Sequence, residues 1–277
     1  MDQLVSTDWL APRLDADDLV ILDATMHLPD SGRDAQAEFA AGHIDNARFL
    51  DLASFIDDDS PVPKAMPSAQ QFAQRMDALG VSSGSRIVLY DDSAIRSSAR
   101  AWFILTHYGE QDVAILDGGL SKWRAEGRAL STQTVDHAPR PRVAPDPVRQ
   151  VRSKQDVLSN LETSAFQIVD ARDPARFEGL PGSGSEGHVP GARNIPFARL
   201  LRDDGTYRSP EEIRSAFKDA GVMLDRPIVT SCNSGTTASV LLFGLALIGV
   251  DDAGLYDGSW MEWGSDPVTP KQSGAAA

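Results

Sequence analysis

The sequence predicts an α/β protein built from two similar domains, each a mostly parallel sheet with helices on both faces. Two observations predict this class. Four short motifs recur in the same order in both halves of the chain, and short apolar runs alternate with helical stretches within each half. The length of 277 residues allows one large domain or two of about 140 residues, with enough chain to bury a core.

The internal repeat is the stronger observation, because overlooking a repeat leads to the wrong fold. The paired motifs are separated by 147, 145, 141 and 140 residues, and four collinear pairs at nearly constant spacing indicate two homologous domains. The pairs are Ile21–Ala24 with Ile168–Ala171, Gly42–Ile44 with Gly187–Val189, Ile87–Asp91 with Ile228–Cys232, and Leu116–Gly119 with Tyr256–Ser259.

Composition changes mark the domain boundaries. We expect a first domain over residues 1–135, a proline-rich linker over 136–150, a second domain over 151–270 and a tail over 271–277. Residues 131–150 contain four prolines and no hydrophobic periodicity, which predicts an extended, semi-rigid connection. The tail is small and polar, so we expect it to fray.

Apolar runs and one periodic segment predict the main elements. Ser68–Leu79 is expected to be a helix, because Phe72, Met76 and Leu79 share one face. Ligands bind at the carboxyl ends of the strands in such sheets, and one strand ends directly at Cys232. The predicted buried parallel strands are Leu19–Leu22, Arg86–Tyr90, Val113–Leu116 and Ile228–Ser231.

Charge and targeting signals exclude several classes of function. The chain has 26 Lys and Arg against 40 Asp and Glu, a net charge of −14, which disfavours binding to nucleic acid and to anionic membranes. The apolar stretch Val240–Val250 is too short to span a bilayer. Met1–Val5 has no signal-peptide character, and a single cysteine permits no internal disulfide. We therefore expect a cytoplasmic protein.

The segment that follows the strand Ile228–Ser231 has the character of a nucleophile loop. Cys232 is followed by small polar residues and by Gly235, and an apolar helix begins immediately afterwards. Backbone N–H groups at a helix start can bind an anion, and they also stabilise the thiolate, which is the reactive form of cysteine. The alternative is that Cys232 is a small buried apolar residue, but its position favours a reactive thiol.

Motifs along the whole chain point to one family. They are Leu22–Ala24, Gly32–Ala35, Asp117–Gly119 with Trp123, Asp170–Arg172 with Arg176 and Phe177, Gly187–Ala192 with Asn194–Pro196, Cys232 with Gly235, and Tyr256–Trp260 with Glu262 and Trp263. With these motifs the chain resembles the tandem-domain rhodanese and 3-mercaptopyruvate sulfurtransferase family. The resemblance implies two rhodanese-like domains and a cysteine that accepts a sulfane sulfur as a persulfide and passes it to a thiophilic acceptor. It also implies no cofactor.

The resemblance assigns roles to individual residues. Cys232 is the expected catalytic residue, and Arg176 is expected to bind the anionic group of the sulfur donor. Arg172 is expected to stabilise the fold. Asp91 takes the cysteine position in the first half, and because a carboxylate cannot carry sulfane sulfur, the first domain is expected to be catalytically silent. The resemblance implies that this domain forms one side of the active-site cleft. The loop residues expected to surround donor and persulfide are Asn233, Ser234, Gly235, Thr236 and Thr237.

Other residues and functions are weighed against this assignment. His43 and His188 occupy the same place in both repeats, so they are expected to be structural, and the spacing of the histidines predicts no metal site. A phosphatase of similar fold needs an arginine six residues after the cysteine, where this chain has Ala238. A non-enzymatic sulfur-binding scaffold would not need the retained Cys232.

The choice of sulfur donor depends on the loop. Thiosulfate-using relatives carry arginine and lysine after the cysteine, whereas the loop of this chain is neutral, which favours 3-mercaptopyruvate over the alternative, thiosulfate. Three features depart from the mercaptopyruvate type: Gly179–Glu186 contains no arginine, Ala53 and Lys64 stand where an aspartate and a histidine are expected, and Arg96 replaces an aromatic residue. We hypothesise that Arg96, together with Lys64, reaches across the domain interface and supplies the positive charge of the arginine that Gly179–Glu186 lacks.

The expected acceptor is cyanide in vitro, or a thiol or thioredoxin-like dithiol.

Overall fold

The computed structural model describes residues 1–135 and 137–276. Asp136, where the predicted linker begins, and Ala277, the last residue of the predicted tail, lie outside the described residues. The described chain divides into two compact units. The first unit contains Met1–Asp57, Met66–Arg149 and Asp203–Tyr207, and the second contains Asp58–Ala65, Gln150–Arg202 and the chain from Arg208 onward. Each half of the sequence therefore contributes a short segment to the unit built mainly from the other half.

The first unit is a five-stranded parallel sheet with helices. The strand order is β1-β5-β4-β2-β3, so the central strand is β4. The strands are β1 (Leu4–Val5), β2 (Leu19–Asp23), β3 (Ala47–Phe49), β4 (Arg86–Tyr90) and β5 (Val113–Leu116). The helices are α1 (Thr7–Leu10), α2 (Ala35–Ala41), α3 (Ala69–Ala78), α4 (Ser98–His107) and α5 (Gly119–Ala125), with 3-10 turns at Ala11–Arg13 and Pro29–Ser31.

The second unit repeats this architecture with the equivalent strand order β6-β10-β9-β7-β8, again parallel throughout. Its central strand is β9. The strands are β6 (Val151–Arg152), β7 (Gln167–Asp170), β8 (Arg193–Asn194), β9 (Ile228–Ser231) and β10 (Ala253–Tyr256). The helices are α6 (Lys154–Thr163), α7 (Pro174–Glu178), α8 (Pro210–Asp219), α9 (Thr236–Leu247) and α10 (Ser259–Ser265), with a 3-10 turn at Phe197–Leu200.

Alternating side chains on the central strands produce a core on each face of each sheet. In the first unit, Val88 and Tyr90 of β4 pack with Phe39 of α2 and Trp123 of α5 on one face. On the other face α4, which is buried along almost its whole length, packs on β4 and β5. In the second unit α9 is similarly buried and packs on β9 and β10. The predicted α/β class with helices on both faces is confirmed.

The individual elements follow the predictions closely. The four predicted strands correspond to β2, β4, β5 and β9, and β2 extends by one residue to Asp23. The predicted helix corresponds to α3, which Ser68 caps together with Gln71 through reciprocal side-chain and backbone hydrogen bonds. Phe72 and Met76 are buried on its inner face, as the periodicity predicts.

The tail corrects one expectation. Instead of fraying, Gln272 forms an antiparallel bridge with His188, and the Gly274 N–H donates to the carbonyl of Glu178 at 2.9 Å. An added Cβ at Gly187 would come within 2.1 Å of the Gln272 carbonyl oxygen, so the close approach of the two backbones requires this glycine. The backbone of the tail finds its partners in the fold, which its small polar composition does not reveal.

The proline-rich linker forms neither helix nor strand in its described part, residues 137–149. It is nevertheless held along the first unit. Arg142 forms a buried ion pair with Glu110, and the Val148 N–H donates to the carbonyl of His107 at 2.8 Å. Among the described residues, no helix is both long enough and apolar enough to cross a membrane.

Candidate active site

Cys232 lies at the carboxyl end of the central strand of the second unit. The strand β9 is buried along its length, and the Cys232 side chain that follows it is 2% exposed. Only Asn233, Ser234 and Gly235 separate it from α9. Gly235 has φ +79°, a left-handed conformation that glycine adopts without strain and that turns the chain into the helix. The sulfur therefore lies beside the N-terminal end of a twelve-residue helix.

Hydrogen bonds from α10 fix the direction in which the loop peptides point. The Trp260 N–H donates to the Cys232 carbonyl at 3.1 Å, and the Met261 N–H donates to the Asn233 carbonyl at 2.9 Å. In a trans peptide the carbonyl and the N–H point in opposite directions, so the N–H groups of Asn233 and Ser234 point away from α10. In the described part of the chain these two N–H groups have no hydrogen-bond partner. Together with the positive end of α9, they can accommodate an anion.

The equivalent loop of the first unit is occupied by its own side chain. The Asp91 carboxylate follows β4 and accepts hydrogen bonds from the Ser93 N–H and hydroxyl, both at 2.8 Å, and from the Ser98 N–H at 3.0 Å. In the first unit the Asp91 carboxylate therefore occupies the N–H and hydroxyl donors that would otherwise be available to an anionic sulfur. This arrangement gives a physical reason for the predicted silence of the first domain.

Arg176 lies on α7, which Asp173 caps by accepting the Arg176 N–H at 3.0 Å. The Arg176 Nε also donates to the Asp173 carboxylate at 2.5 Å. The side chain is 46% exposed, and its two terminal nitrogens have no partner among the described residues. The guanidinium is therefore oriented by one carboxylate while its terminal edge is left for another anion.

Arg172, by contrast, is buried, and each of its three side-chain nitrogens already has a partner within the protein. Its side chain is 1% exposed, Nε and Nη2 bind the Asp170 carboxylate, and its remaining hydrogen bonds go to Ser185 Oγ and the Gly187 carbonyl. Its guanidinium also lies 4.5 Å from the ring centre of Trp260. The side chain thus ties β7 to the loop before His188 and to α10, in agreement with its expected structural role.

Arg96 belongs to the first unit and contacts the segment Asp203–Tyr207. An added Cβ at Gly205 would lie 2.5 Å from Arg96 Nη2, so the guanidinium rests directly on that glycine. The Tyr207 N–H donates to Asp117 at 2.8 Å, and burial raises the pKa of the Tyr207 hydroxyl, with the carboxylates of Asp91 and Asp117 adding to the increase. A donor-binding role for Arg96 stays a prediction, as does one for Lys64 in the segment Asp58–Ala65 of the second unit.

Known proteins carry the same architecture. Residues 6–126 and residues 153–266 each match the family of the rhodanese-like domain. The chain belongs to the rhodanese family. It is 39% identical over 270 residues to the 3-mercaptopyruvate sulfurtransferase of Mus musculus, covering 94% of this chain and 91% of that relative. It is 37% identical to the 3-mercaptopyruvate sulfurtransferase of Escherichia coli K12, covering 96% of this chain and 97% of that relative.

Two further comparisons concern the donor and the fold. The thiosulfate sulfurtransferase of Cricetulus griseus is 34% identical, covering 94% of this rhodanese-family chain and 91% of that relative. The crystal structure of SseA from Escherichia coli, a 3-mercaptopyruvate sulfotransferase, superposes with a TM-score of 0.82 at 35% identity, covering 94% of this chain and 99% of that one. The predicted family, fold and sulfurtransferase class are confirmed.

The two repeated histidines of this rhodanese-family protein are structural, as predicted. His43 stacks on Phe39 and places Nδ1 2.8 Å from the carbonyl of the same residue, and His188 does the same with Phe177. Both are fully buried, and burial lowers the pKa of His188. No group of three or more His, Cys, Asp or Glu side chains within 1–135 and 137–276 could hold a metal ion.

Sequence reasoning missed two features of the site. The hydroxyl of Ser259 accepts a hydrogen bond from the Cys232 N–H at 3.2 Å. An open groove of about 620 Å³ lies between the loop after α7 and α10, with Leu180, Trp260 and Met261 among its lining residues, and the last two of these donate backbone N–H groups to the Cys232 loop. The repeat alignment contained a signal for the first feature, because Ser259 stands where the first repeat has Gly119. The groove is formed by a loop and a helix that are distant in sequence, so no local pattern indicates it.

Proposed function

We propose that this protein transfers a sulfane sulfur from a small anionic donor, preferably 3-mercaptopyruvate, through a persulfide on Cys232 to a thiophilic acceptor. The observation that carries the proposal is the Cys232 loop, in which the free N–H groups of Asn233 and Ser234 and the start of α9 provide positive potential next to the sulfur. The backbone of Gly235 to Thr237 completes the same cradle.

The first half-reaction needs only a nucleophile and a site for the leaving anion. The Cys232 thiolate attacks the sulfur of 3-mercaptopyruvate, the new S–S bond forms, and the C–S bond breaks with its electron pair moving to the pyruvate enolate. Protonation of the enolate carbon by water yields pyruvate, and the persulfide remains on the enzyme. Attack of the acceptor on the outer sulfur then releases the Cys232 thiolate. Neither half-reaction requires a cofactor.

Arg176 is the proposed anchor of the donor carboxylate. Its terminal nitrogens are oriented by Asp173 and face no other partner in the described chain, and a guanidinium fork matches a carboxylate. The loop from Asn233 to Thr237 carries no formal charge, which suits a monoanion better than the compact dianion thiosulfate. Thiosulfate is the second candidate, because a thiosulfate sulfurtransferase is among the relatives.

We propose a thiol or a thioredoxin-like dithiol as the acceptor in the cell, with cyanide as its substitute in vitro. The open groove lined by Leu180, Trp260 and Met261 supports this, because it offers apolar contact to an acceptor on the helix whose backbone N–H groups hold the Cys232 loop. We further propose that the protein acts in the cytoplasm, where a reducing environment keeps its single cysteine from being oxidised.

The test is a steady-state assay of thiocyanate formation with cyanide as the acceptor and either 3-mercaptopyruvate or thiosulfate as the donor. We expect a much higher kcat/KM for 3-mercaptopyruvate and no turnover by Cys232→Ser. Ser159→Ala, a change of an exposed serine on α6, is the matched control and should behave as wild type.

A preference for thiosulfate would refute the proposed donor while leaving the persulfide mechanism intact. Turnover by Cys232→Ser would refute the site assignment itself. Inactivity of the folded wild-type protein with both donors would favour a sulfur-binding scaffold.

A further inference from the structure

Ser259 combines a left-handed backbone with complete burial. Its φ is +49°, and its side chain is fully buried. Within 1–135 and 137–276 the other non-glycine residues with positive φ are half-buried or exposed; they are Asn46, Lys64, Arg96 and Ser164. A side chain in this conformation is strained, and such strain persists where the surrounding structure imposes it, often next to a functional site.

The first unit shows what the same position looks like without a nucleophile. Gly119 is the repeat counterpart of Ser259 and has a similar φ of +57°. An added Cβ there would come within 2.3 Å of the Asp91 carbonyl oxygen, so the first unit has no space for a side chain. The second unit accommodates a serine at the position where glycine would be free of strain. The side chain is thus a specific feature of the unit that contains Cys232.

The Ser259 hydroxyl bridges the two strands that meet at the candidate site. It donates to the carbonyl of Tyr256, the last residue of β10, at 2.8 Å, and it accepts the Cys232 N–H at 3.2 Å. The next residue, Trp260, donates its N–H to the Cys232 carbonyl. Consecutive residues at the start of α10 therefore hold both backbone polar groups of Cys232.

We propose that Ser259 is a positioning residue that fixes the Cys232 backbone so that the sulfur stays within reach of the loop N–H groups. The inference rests on the proposed role of Cys232 as the nucleophile. Without the hydroxyl, the Cys232 N–H loses its partner, and the peptide can rotate the sulfur away from the donors of Asn233 and Ser234. The thiolate is then less stabilised, whereas donor binding at Arg176 is unaffected.

Two variants test this inference, with Ser159→Ala, an exposed serine on α6, as the matched control. Ser259→Ala removes the hydroxyl, and Ser259→Gly removes it together with the backbone strain, so the glycine variant should stay folded. We expect both variants to lose about tenfold in kcat, the size of one lost hydrogen bond, with an unchanged KM for 3-mercaptopyruvate. Because Cys232 is the single cysteine, its alkylation by iodoacetamide can be followed directly, and its pH–rate profile should move to higher pH in both variants.

A folded Ser259→Gly protein with the wild-type kcat would overturn the inference. So would a loss of kcat with an unchanged alkylation profile, because the loss would then not act through the thiolate. Either result leaves the proposed function standing as long as Cys232→Ser is inactive. Turnover by Cys232→Ser would instead overturn both.

Discussion

The equivalent aspartates of the two repeats are expected to respond in opposite ways to the same substitution. Asp170 is paired with the buried Arg172. Its counterpart Asp23 is equally buried, but it faces Thr25 in place of the arginine and accepts the Thr25 N–H and hydroxyl at 2.9 and 2.5 Å. Burial raises the pKa of Asp23 from 3.8 to about 6, although these hydrogen bonds oppose the shift. We predict that Asp23→Asn stabilises the protein at neutral pH.

The magnitude follows from the shift. Between pH 3.8 and about 6, the folded chain binds more protons at Asp23 than the unfolded chain, so the free energy of unfolding falls as the pH rises through this window. The rise in the pKa of Asp23 corresponds to about 3 kcal/mol of free energy. Above pH 6 this is the upper limit of the increase in the free energy of unfolding that Asp23→Asn can bring. Asparagine keeps an oxygen to accept from Thr25 and carries no charge. At pH 4 the free energies of unfolding of wild type and Asp23→Asn should differ by less than about 1 kcal/mol.

The assay is urea unfolding of wild type and Asp23→Asn, followed by tryptophan fluorescence at several pH values between 4 and 8. Asp170→Asn is the matched control. It should lose about 3–5 kcal/mol, because it leaves the Arg172 guanidinium buried without its counter-charge. The reasoning would be refuted if Asp23→Asn were less stable than wild type at pH 7, or if the difference between them did not change with pH.

Three further substitutions test separate features. Arg96→Ala should raise the KM for the sulfur donor several-fold with little change in kcat, and an unchanged KM in the steady-state assay would rule out its proposed donor-binding role. Thr230→Val should raise the free energy of unfolding by about 1 kcal/mol, because the buried Thr230 hydroxyl has no hydrogen-bond partner in the described chain; equal or lower stability in urea would contradict this. Gly119→Ser should cost at least about 2 kcal/mol, since its Cβ would meet the Asp91 carbonyl; a wild-type unfolding midpoint would contradict the clash.

Much of the fold and the candidate nucleophile could be predicted from the sequence, because both depend on local patterns. Short apolar runs predict buried strands wherever they stand in the chain, and they located β2, β4, β5 and β9 nearly to the residue. The four repeated motifs indicated two equivalent units because repeated local patterns form repeated local structures. The strand that ends at Cys232 and the helix that begins after Gly235 place the cysteine at the carboxyl edge of a sheet without any knowledge of distant contacts.

Only the tertiary structure decided which residues from distant parts of the chain complete each unit. Asp203–Tyr207 joins the first unit through the hydrogen bond of Tyr207 to Asp117, ninety residues away in sequence. The polar tail is held by the backbone of His188, and Ser259 reaches Cys232 across twenty-seven residues. In each of these contacts at least one partner is a backbone group, and because every residue carries such groups, a local side-chain pattern cannot specify which one is bound. The sequence alone thus predicted the two-unit α/β fold, four strands, one helix and the candidate nucleophile, and the packing of the elements decided how that residue is held.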